Sequence, residues 1–181
     1  TFAGHGGSSA MSAIDDVTPN AYEESWDVVT GAATPPGGVS GNNMFTYKSP
    51  DLGGATVTVA YINASDAITD VSYMDFAIAA DIAAVDGLSV GFGMAETEET
   101  TGTVIDDTTM YAKYTYGSMT VGYQVGGAET GVRGAATAAT AAKLYTTASG
   151  NFEFEKMSIA ANVNDNLSIS WGELKETYDA Q

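Results

Sequence analysis

The chain contains no cysteine and few basic residues, and both shortages restrict what it can do. Without Cys in its 181 residues, disulfide bridges and thiolate metal sites are excluded. Only 6 Lys and Arg stand against 23 Asp and Glu, which gives a net charge of −17. Because nucleic acid binding needs clustered Lys and Arg to meet the phosphates, this composition argues against a nucleic acid partner.

Long hydrophobic runs are also missing. Hydrophobic residues make up 44% of the chain, yet no apolar run approaches the roughly 20 residues that a membrane-spanning helix needs. Leu is scarce, whereas Gly (21) and Tyr (10) are abundant, together with Ala and Thr. Gly weakens helices, and aromatic and β-branched residues favour strands, so the composition favours an all-β fold.

The sequence divides into two regions of different character. Residues 1–42 are rich in Gly, Ser and Pro and carry a group of acids, which is typical of a loop. A loop of this length is unusual in a compact domain unless it is functional. Residues 43–181 alternate apolar and small polar side chains, and this period of two predicts about eight antiparallel strands. Their lengths are close to the roughly 9–11 residues of a membrane β-strand.

The composition of the two strand faces favours a membrane barrel over a soluble sandwich. One face carries Val, Leu, Phe, Ile and Met, which suit lipid, and the other carries Thr, Ser, Gly and Ala, which suit a barrel lumen. Aromatic residues stand at strand ends, where a belt at the membrane–water interface would lie. They are Tyr47, Tyr61, Tyr114, Tyr116 and Trp171.

The connections between strands alternate between short and long. Short turns are predicted at 49–53, 82–87, 117–118 and 164–166, and longer connections at 63–70, 96–107 and 128–150. Periplasmic turns and extracellular loops alternate in this way, so we predict an up-and-down transmembrane β-barrel. Residues 1–42 occupy a long position in this alternation. The strand after Asn151 has an unclear phase, which a bulge near Glu155 would reconcile.

The acids of the first region suggest a selectivity element. Five of them fall within thirteen residues: Asp15, Asp16, Glu23, Glu24 and Asp27. Unbalanced acids attract cations, and a water-filled barrel is selective at its narrowest point. We therefore predict that residues 1–42 fold into the pore, constrict it and favour cations. By the alternation, Lys48, Asp75, Lys113 and Gln124 are predicted to face the lumen.

Three stretches of sequence resemble a known family. They are Phe2-Ala3-Gly4-His5-Gly6-Gly7, Ala13-Ile14-Asp15-Asp16, and Met44 to Pro50 with the following Gly-Gly strand. Together they resemble general porins of alphaproteobacteria, including marine lineages. The resemblance implies a homotrimer of 16-stranded barrels in the Gram-negative outer membrane, with a loop folded into each lumen. Such channels pass ions and small hydrophilic solutes by diffusion.

The same resemblance implies roles for individual residues. Asp15, Asp16, Glu23 and Glu24 would be constriction acids opposite a basic wall, for which Lys48 and Lys113 are the lumen-phase candidates. The chain begins at Thr1 rather than Met and ends without the family's terminal aromatic residue. We therefore expect further strands on both sides and an open, curved sheet.

Other functions fit the sequence less well. His5 stands near Ser8 and Ser9, but no G-x-S-x-G elbow and no second His accompany it, so we expect no enzyme and no cofactor. Asp15 and Asp16 could bind calcium, but no EF-hand spacing is present, and solvated loop charge is the preferred interpretation. The alternative hypothesis from another class is a secreted β-sandwich adhesin or binding module.

Overall fold

The structure is a computed structural model that describes residues 1–21, 38–63, 72–98, 104–130 and 151–178. These residues form an antiparallel sheet of nine strands and a separate ladder of two. No helix in the described ranges is long and apolar enough to cross a membrane. The strands are β1 Phe2–Ala3, β2 Gly7–Ser8, β3 Ser40–Gly41, β4 Met44–Lys48, β5 Ala55–Ile62, β6 Ser72–Asp81, β7 Leu88–Glu98, β8 Val104–Tyr116, β9 Met119–Thr130, β10 Phe152–Asn164 and β11 Leu167–Tyr178.

Each strand from β4 to β11 pairs with the next strand in the sequence, so the sheet has an up-and-down topology. The predicted all-β antiparallel fold is therefore confirmed. The ninth strand is β1, which pairs with β4 although the sequence assigned residues 1–42 to a loop. Strands β1 and β11 form the two edges, and in the described part of the chain the sheet is open.

One predicted connection is much shorter than expected. Strand β7 continues through Glu98 and β8 begins at Val104, so most of the predicted loop 96–107 is strand. Glu96 stands opposite Asp106 in this ladder. The sequence pattern failed here because acidic side chains were taken as a loop signal. Strand ends that stand in water tolerate them as well.

The predicted bulge near Glu155 was also wrong. Strand β10 pairs with β9 in unbroken register from Phe152 to Ala161, and its irregularity lies between Asn162 and Asn164, beside the turn. A period of two therefore holds along most of the strand. As a consequence, Phe154, Lys156 and Ser158 share one face, while Met157 and Ile159 share the other.

The two faces of the sheet differ in chemistry as predicted. The outer face presents exposed apolar side chains, including Phe76, Met94, Met110, Val121 and Met157. The opposite, inner face carries small or polar residues, and a segment of residues 9–21 packs on it. All five aromatic residues expected at strand ends, Tyr47, Tyr61, Tyr114, Tyr116 and Trp171, lie on the outer face and are exposed.

Acidic residues limit the apolar band of the outer face on the side away from the short turns. Glu96, Asp106 and Glu129 lie in one lateral row of β7, β8 and β9. On β11 the band ends at Glu173, which lies in the same lateral row as Met157 of β10 and Tyr123 of β9. Tyr123 is six residues from Glu129 on β9. Six residues span about 20 Å along a strand, and four strand spacings span about 19 Å. Averaged from Glu96 to Glu173, the edge of the band thus crosses the strands at about 45°, close to the tilt of barrel strands, with the whole descent between β9 and β11.

Two turn glycines allow the contribution of a close backbone contact to be measured. Gly87 and Gly53 have nearly equal φ angles of 83° and 82°. A Cβ on Gly87 would collide with the carbonyl oxygen of Thr115, whereas Gly53 has no neighbour within 4 Å among the described residues. Both Gly→Ala changes introduce left-handed strain of about 1–2 kcal/mol. We expect Gly87→Ala to lower the urea midpoint of unfolding more than Gly53→Ala. Equal midpoints would show that the Thr115 contact is unimportant.

Candidate functional site

A segment of the chain crosses the inner face of the sheet from β6 to β11. We call it the crossing segment, residues Ser9–Ala21. It follows the short ladder of β2 and β3, in which Gly7 and Ser8 pair with Gly41 and Ser40. The Ser9 amide donates to the carbonyl oxygen of Val39 at 3.0 Å, which extends this ladder toward the sheet. The ladder therefore sets the direction in which the segment enters the inner face.

The first anchor of the crossing segment is a carboxylate on β6. The Met11 amide donates to Asp75 Oδ2 at 2.7 Å, and the Tyr73 hydroxyl donates to the same oxygen at 2.9 Å. Met11 opens a 3₁₀ turn through Ala13. The first amides of such a turn have no partner within it, so an acceptor from the sheet satisfies one of them. Asp75, predicted from alternation to face inward, thus contacts the segment.

Glycines on the sheet let the crossing segment lie directly against the backbone. A Cβ on Gly93 of β7 would collide with the side chains of Met11 and Ile14, and one on Gly122 of β9 would collide with Pro19. Met11 and Ile14 are buried at 0% and 1% exposure. Glycine inside a strand commonly marks close approach of another chain segment. The small residues of the inner face therefore create the space that the segment fills.

Gln124 on β9 binds the middle of the crossing segment with both ends of its amide. Its two Nε2 hydrogens are shared among three acceptors, the carbonyl oxygens of Ile14 at 3.0 Å and Asp15 at 2.8 Å and Thr109 Oγ1 at 2.9 Å. Its Oε1 accepts from the Val17 amide at 3.2 Å. The side chain is fully buried. Gln124 therefore replaces, for three residues of the segment, the hydrogen bonds that water would otherwise supply.

The next anchor carries charge. Lys156 Nζ on β10 pairs with Asp16 Oδ1, and this is the one salt bridge within the described ranges. The side chains are 1% and 11% exposed. Beyond the pair, Ser158 Oγ donates to the Pro19 carbonyl oxygen at 2.7 Å, and the Ala21 amide donates to Ser170 Oγ on β11 at 3.0 Å. The segment thus crosses six consecutive strands, with polar contacts to β6, β9, β10 and β11 and packing against β7.

The crossing segment runs obliquely to the lateral rows of the ladder. Its contact on β6, Asp75, lies in the row of Ala128 on β9, six residues from Gly122. Gly122 lies in the same row as Gly172 on β11. The last contact is made by Ser170, two residues before Gly172 on that strand. From β6 to β11 the contacts therefore shift by eight residues, about 26 Å along the strands, while they cross five strand spacings, about 24 Å. The segment is thus inclined at close to 45° to the rows. The segment therefore runs nearly parallel to the edge of the apolar band on the opposite face.

The other residues selected from the sequence have different positions. Lys48 ends β4 on the inner face, exposed. Lys113, on the same face, lines a depression near the 82–87 turn together with Asp81 and Ser89. Glu23, Glu24 and Asp27 lie outside the described residues. His5 is exposed, and Ser9 Oγ accepts from the Val39 amide.

Asp15 and Asp16 are neighbours in different electrostatic environments. Burial raises the pKa of the Asp15 carboxyl, and the nearby Asp16 carboxylate raises it further, while the Asp16 amide donates to Asp15 Oδ1 and opposes the shift. Asp16 is neutralised by Lys156. No group of three or more His, Cys, Asp or Glu in the described part of the chain could hold a metal. Calcium binding by the two aspartates therefore gains no support.

The sequence analysis missed Lys156, the basic residue that meets the crossing segment. The signal was present. An unbroken period of two from Phe152 would have given Lys156 the inner phase, and the cost of a lysine on a lipid face would have excluded the outer one. The assumed bulge near Glu155 hid it. Gly93, Gly122 and Ser158 carry no comparable local signal, since small residues are common all along the inner face.

Comparison with protein families decides the identity. A family model described as Gram-negative porin matches residues 4–177. The chain belongs to the Gram-negative porins. Comparison with curated proteins and with solved structures found no match. Membership confirms the predicted outer-membrane location and barrel architecture, and the family is one of channels rather than of enzymes.

Gln124 gives this porin a testable local contact. In Gln124→Leu the Val17 amide loses its acceptor, so its hydrogen exchange should accelerate by roughly 10- to 100-fold, the loss expected for one buried hydrogen bond. The Met11 amide, held by Asp75 on β6, should change less. Asp75→Leu, which removes the acceptor of the Met11 amide, is the matched variant and should show the opposite pattern. Equal acceleration of both amides in both variants would mean that the segment is released as a unit.

Proposed function

We propose that this porin is a diffusion channel for ions and small hydrophilic solutes in which the crossing segment narrows the lumen and favours cations. The observation that carries the proposal is the series of polar contacts that binds the segment to β6, β9, β10 and β11 as it crosses the inner face. A segment held in this way occupies space beside the wall at one depth. What it presents to the open side then decides which solutes pass.

Charge on the crossing segment supports a cation preference. Asp15 is half-buried and is the acid on the described part of the segment that no basic side chain neutralises among the described residues. Glu23, Glu24 and Asp27 would add to it if residues 22–37 follow the same wall. Lys48 and Lys113 lie on the inner face as candidates for the opposing basic wall. The net charge of −17 acts in the same direction.

The surroundings of the channel belong to the same proposal. The exposed apolar outer face suits contact with lipid, and its aromatic residues suit an interfacial belt. We also propose, from the resemblance described above, a 16-stranded barrel, a homotrimer and an alphaproteobacterial, marine-type lineage. A soluble adhesin is disfavoured, because a sandwich would cover the apolar face of its sheet with a second sheet.

Conductance of the full-length protein in planar bilayers tests the function directly. We expect stepwise currents and, in a salt gradient, a reversal potential that shows cation preference. Asp15→Asn should reduce that preference, because it removes the unneutralised charge of the segment. Asp165→Asn, in the exposed turn between β10 and β11, is the control and should leave the potential unchanged. Absent steps or anion preference would refute the corresponding part of the proposal.

Acidification should abolish the contribution of Asp15 to cation preference at a higher pH than it would for a carboxylate with an ordinary pKa. Its pKa is raised by burial, so the charged form is present above that raised value and is lost as the pH falls through it. Cation preference should therefore decline on acidification before exposed aspartates titrate. Reversal potentials of wild type and Asp15→Asn measured across this range should converge at low pH. If the two curves of reversal potential against pH stay parallel, Asp15 is not the group whose titration changes the preference.

A further inference from the structure

The two adjacent acids of the crossing segment have different partners, and this suggests different roles. We propose that Lys156 is the positioning residue of the channel: its pair with Asp16 holds the segment against the wall and thereby fixes where the Asp15 carboxylate stands. The inference rests on the proposed function, since it assigns a role within the same constriction. Asp16 is then a structural acid, and Asp15 is the acid that ions meet.

Burial makes the pair decisive for the position of the segment. Lys156 is 1% exposed, and the Asp16 side chain is 11% exposed. Asp16 Oδ2 is buried and has no hydrogen-bond partner among the described residues, so Oδ1 and its lysine carry the solvation of the carboxylate. A buried carboxylate that loses its partner cation is strongly disfavoured. Without Lys156, Asp16 is therefore expected to move toward water, and the direction open to it is away from the wall.

The location of the pair explains why this movement would reach Asp15. Asp16 lies between the residues bound by Gln124, namely Ile14 and Asp15 before it and Val17 after it. A displacement of Asp16 therefore strains hydrogen bonds on both sides. Asp75 and Ser170 hold the two ends of the segment, and Ser158 holds Pro19 three residues after Asp16, so a displacement of Asp16 is transmitted along a segment that is tethered on both sides. The charged anchor and Gln124 thus hold the middle of the segment together.

Lys113 provides a matched control on the same face. It carries the same charge as Lys156 but lines a depression near the 82–87 turn, and no residue of the crossing segment takes part in that lining. Lys113→Met removes one positive charge from the inner face while leaving the segment's anchors intact. Lys156→Met removes the same charge from beneath the segment. A difference between the two variants therefore reports position rather than net charge.

A spin label on the segment measures its mobility without any current. The 181 residues contain no Cys, so Ala13→Cys, at an exposed site of the 3₁₀ turn, is a single labelling position within them, and any Cys elsewhere in the full-length protein is replaced by Ser. In full-length protein in liposomes, Lys156→Met should raise label mobility, and Lys113→Met should not. Adding Asp16→Asn to Lys156→Met should restore low mobility, since no buried charge remains. Lys156→Arg, which keeps the positive charge, should retain the low label mobility of the wild type.

Electrical recording tests the consequence for the pore. We expect Lys156→Met to increase the frequency of spontaneous closures by at least about tenfold, since the loss of a buried ion-pair partner costs more than the 1.4 kcal/mol that a factor of ten represents. A disulfide between Ala21→Cys and Ser170→Cys, which joins residues already in contact, should suppress these closures under oxidising conditions. Asp16→Asn breaks the same pair from the other side and replaces Lys156→Met if that variant fails to insert.

The outcomes separate the two proposals. If the wild type conducts but Lys156→Met matches it in label mobility and closures, the positioning role is wrong and the channel stands. The same conclusion follows if Asp16→Asn fails to restore Lys156→Met. If the wild type gives no current, the proposed function fails, while the label experiment still decides whether Lys156 holds the segment.

Discussion

The alternation of side chains between the two faces of the sheet is the constraint on which the rest of the structure depends. Because each residue of a strand faces opposite to its neighbour, one ladder register produces both an apolar outer face and a face of small and polar residues. The segment can lie on the second face only because glycines such as Gly93 and Gly122 stand where it touches the backbone. Lipid contact and segment docking are thus two results of one pattern.

Much of the fold could be predicted because alternation is local. The strands from β4 to β11 and the short turns follow from windows of a few residues. The docking contacts could not be predicted in this way, since they join residues far apart in the sequence: Met11 to Asp75, Val17 to Gln124 and Asp16 to Lys156. Phase narrowed the candidates, as it did for Asp75 and Gln124. Where the phase was misjudged, as for Lys156, the candidate was lost.

Two independent features, one on each face of the sheet, cross the strands at the same angle. On the outer face the acidic limit of the apolar band descends from Glu96 to Glu173, and on the inner face the segment descends from Asp75 to Ser170. Both slopes are near 45°, and both descend toward the short-turn ends of the later strands. A strand tilt common to the whole wall accounts for the agreement. The segment therefore runs nearly parallel to the edge of the membrane-facing band.

The contacts of the segment show that its acids should not be counted as equal contributors of charge. The sequence offers a cluster of five acids, and counting them treats each as equal. The structure separates Asp16, whose charge is cancelled by Lys156 within the wall, from Asp15, whose half-buried carboxyl has a raised pKa. In the proposed function, an acid that anchors the segment contributes to selectivity only through where it holds its neighbour. The ion preference of such a channel thus depends on the partners of its acids more than on their number.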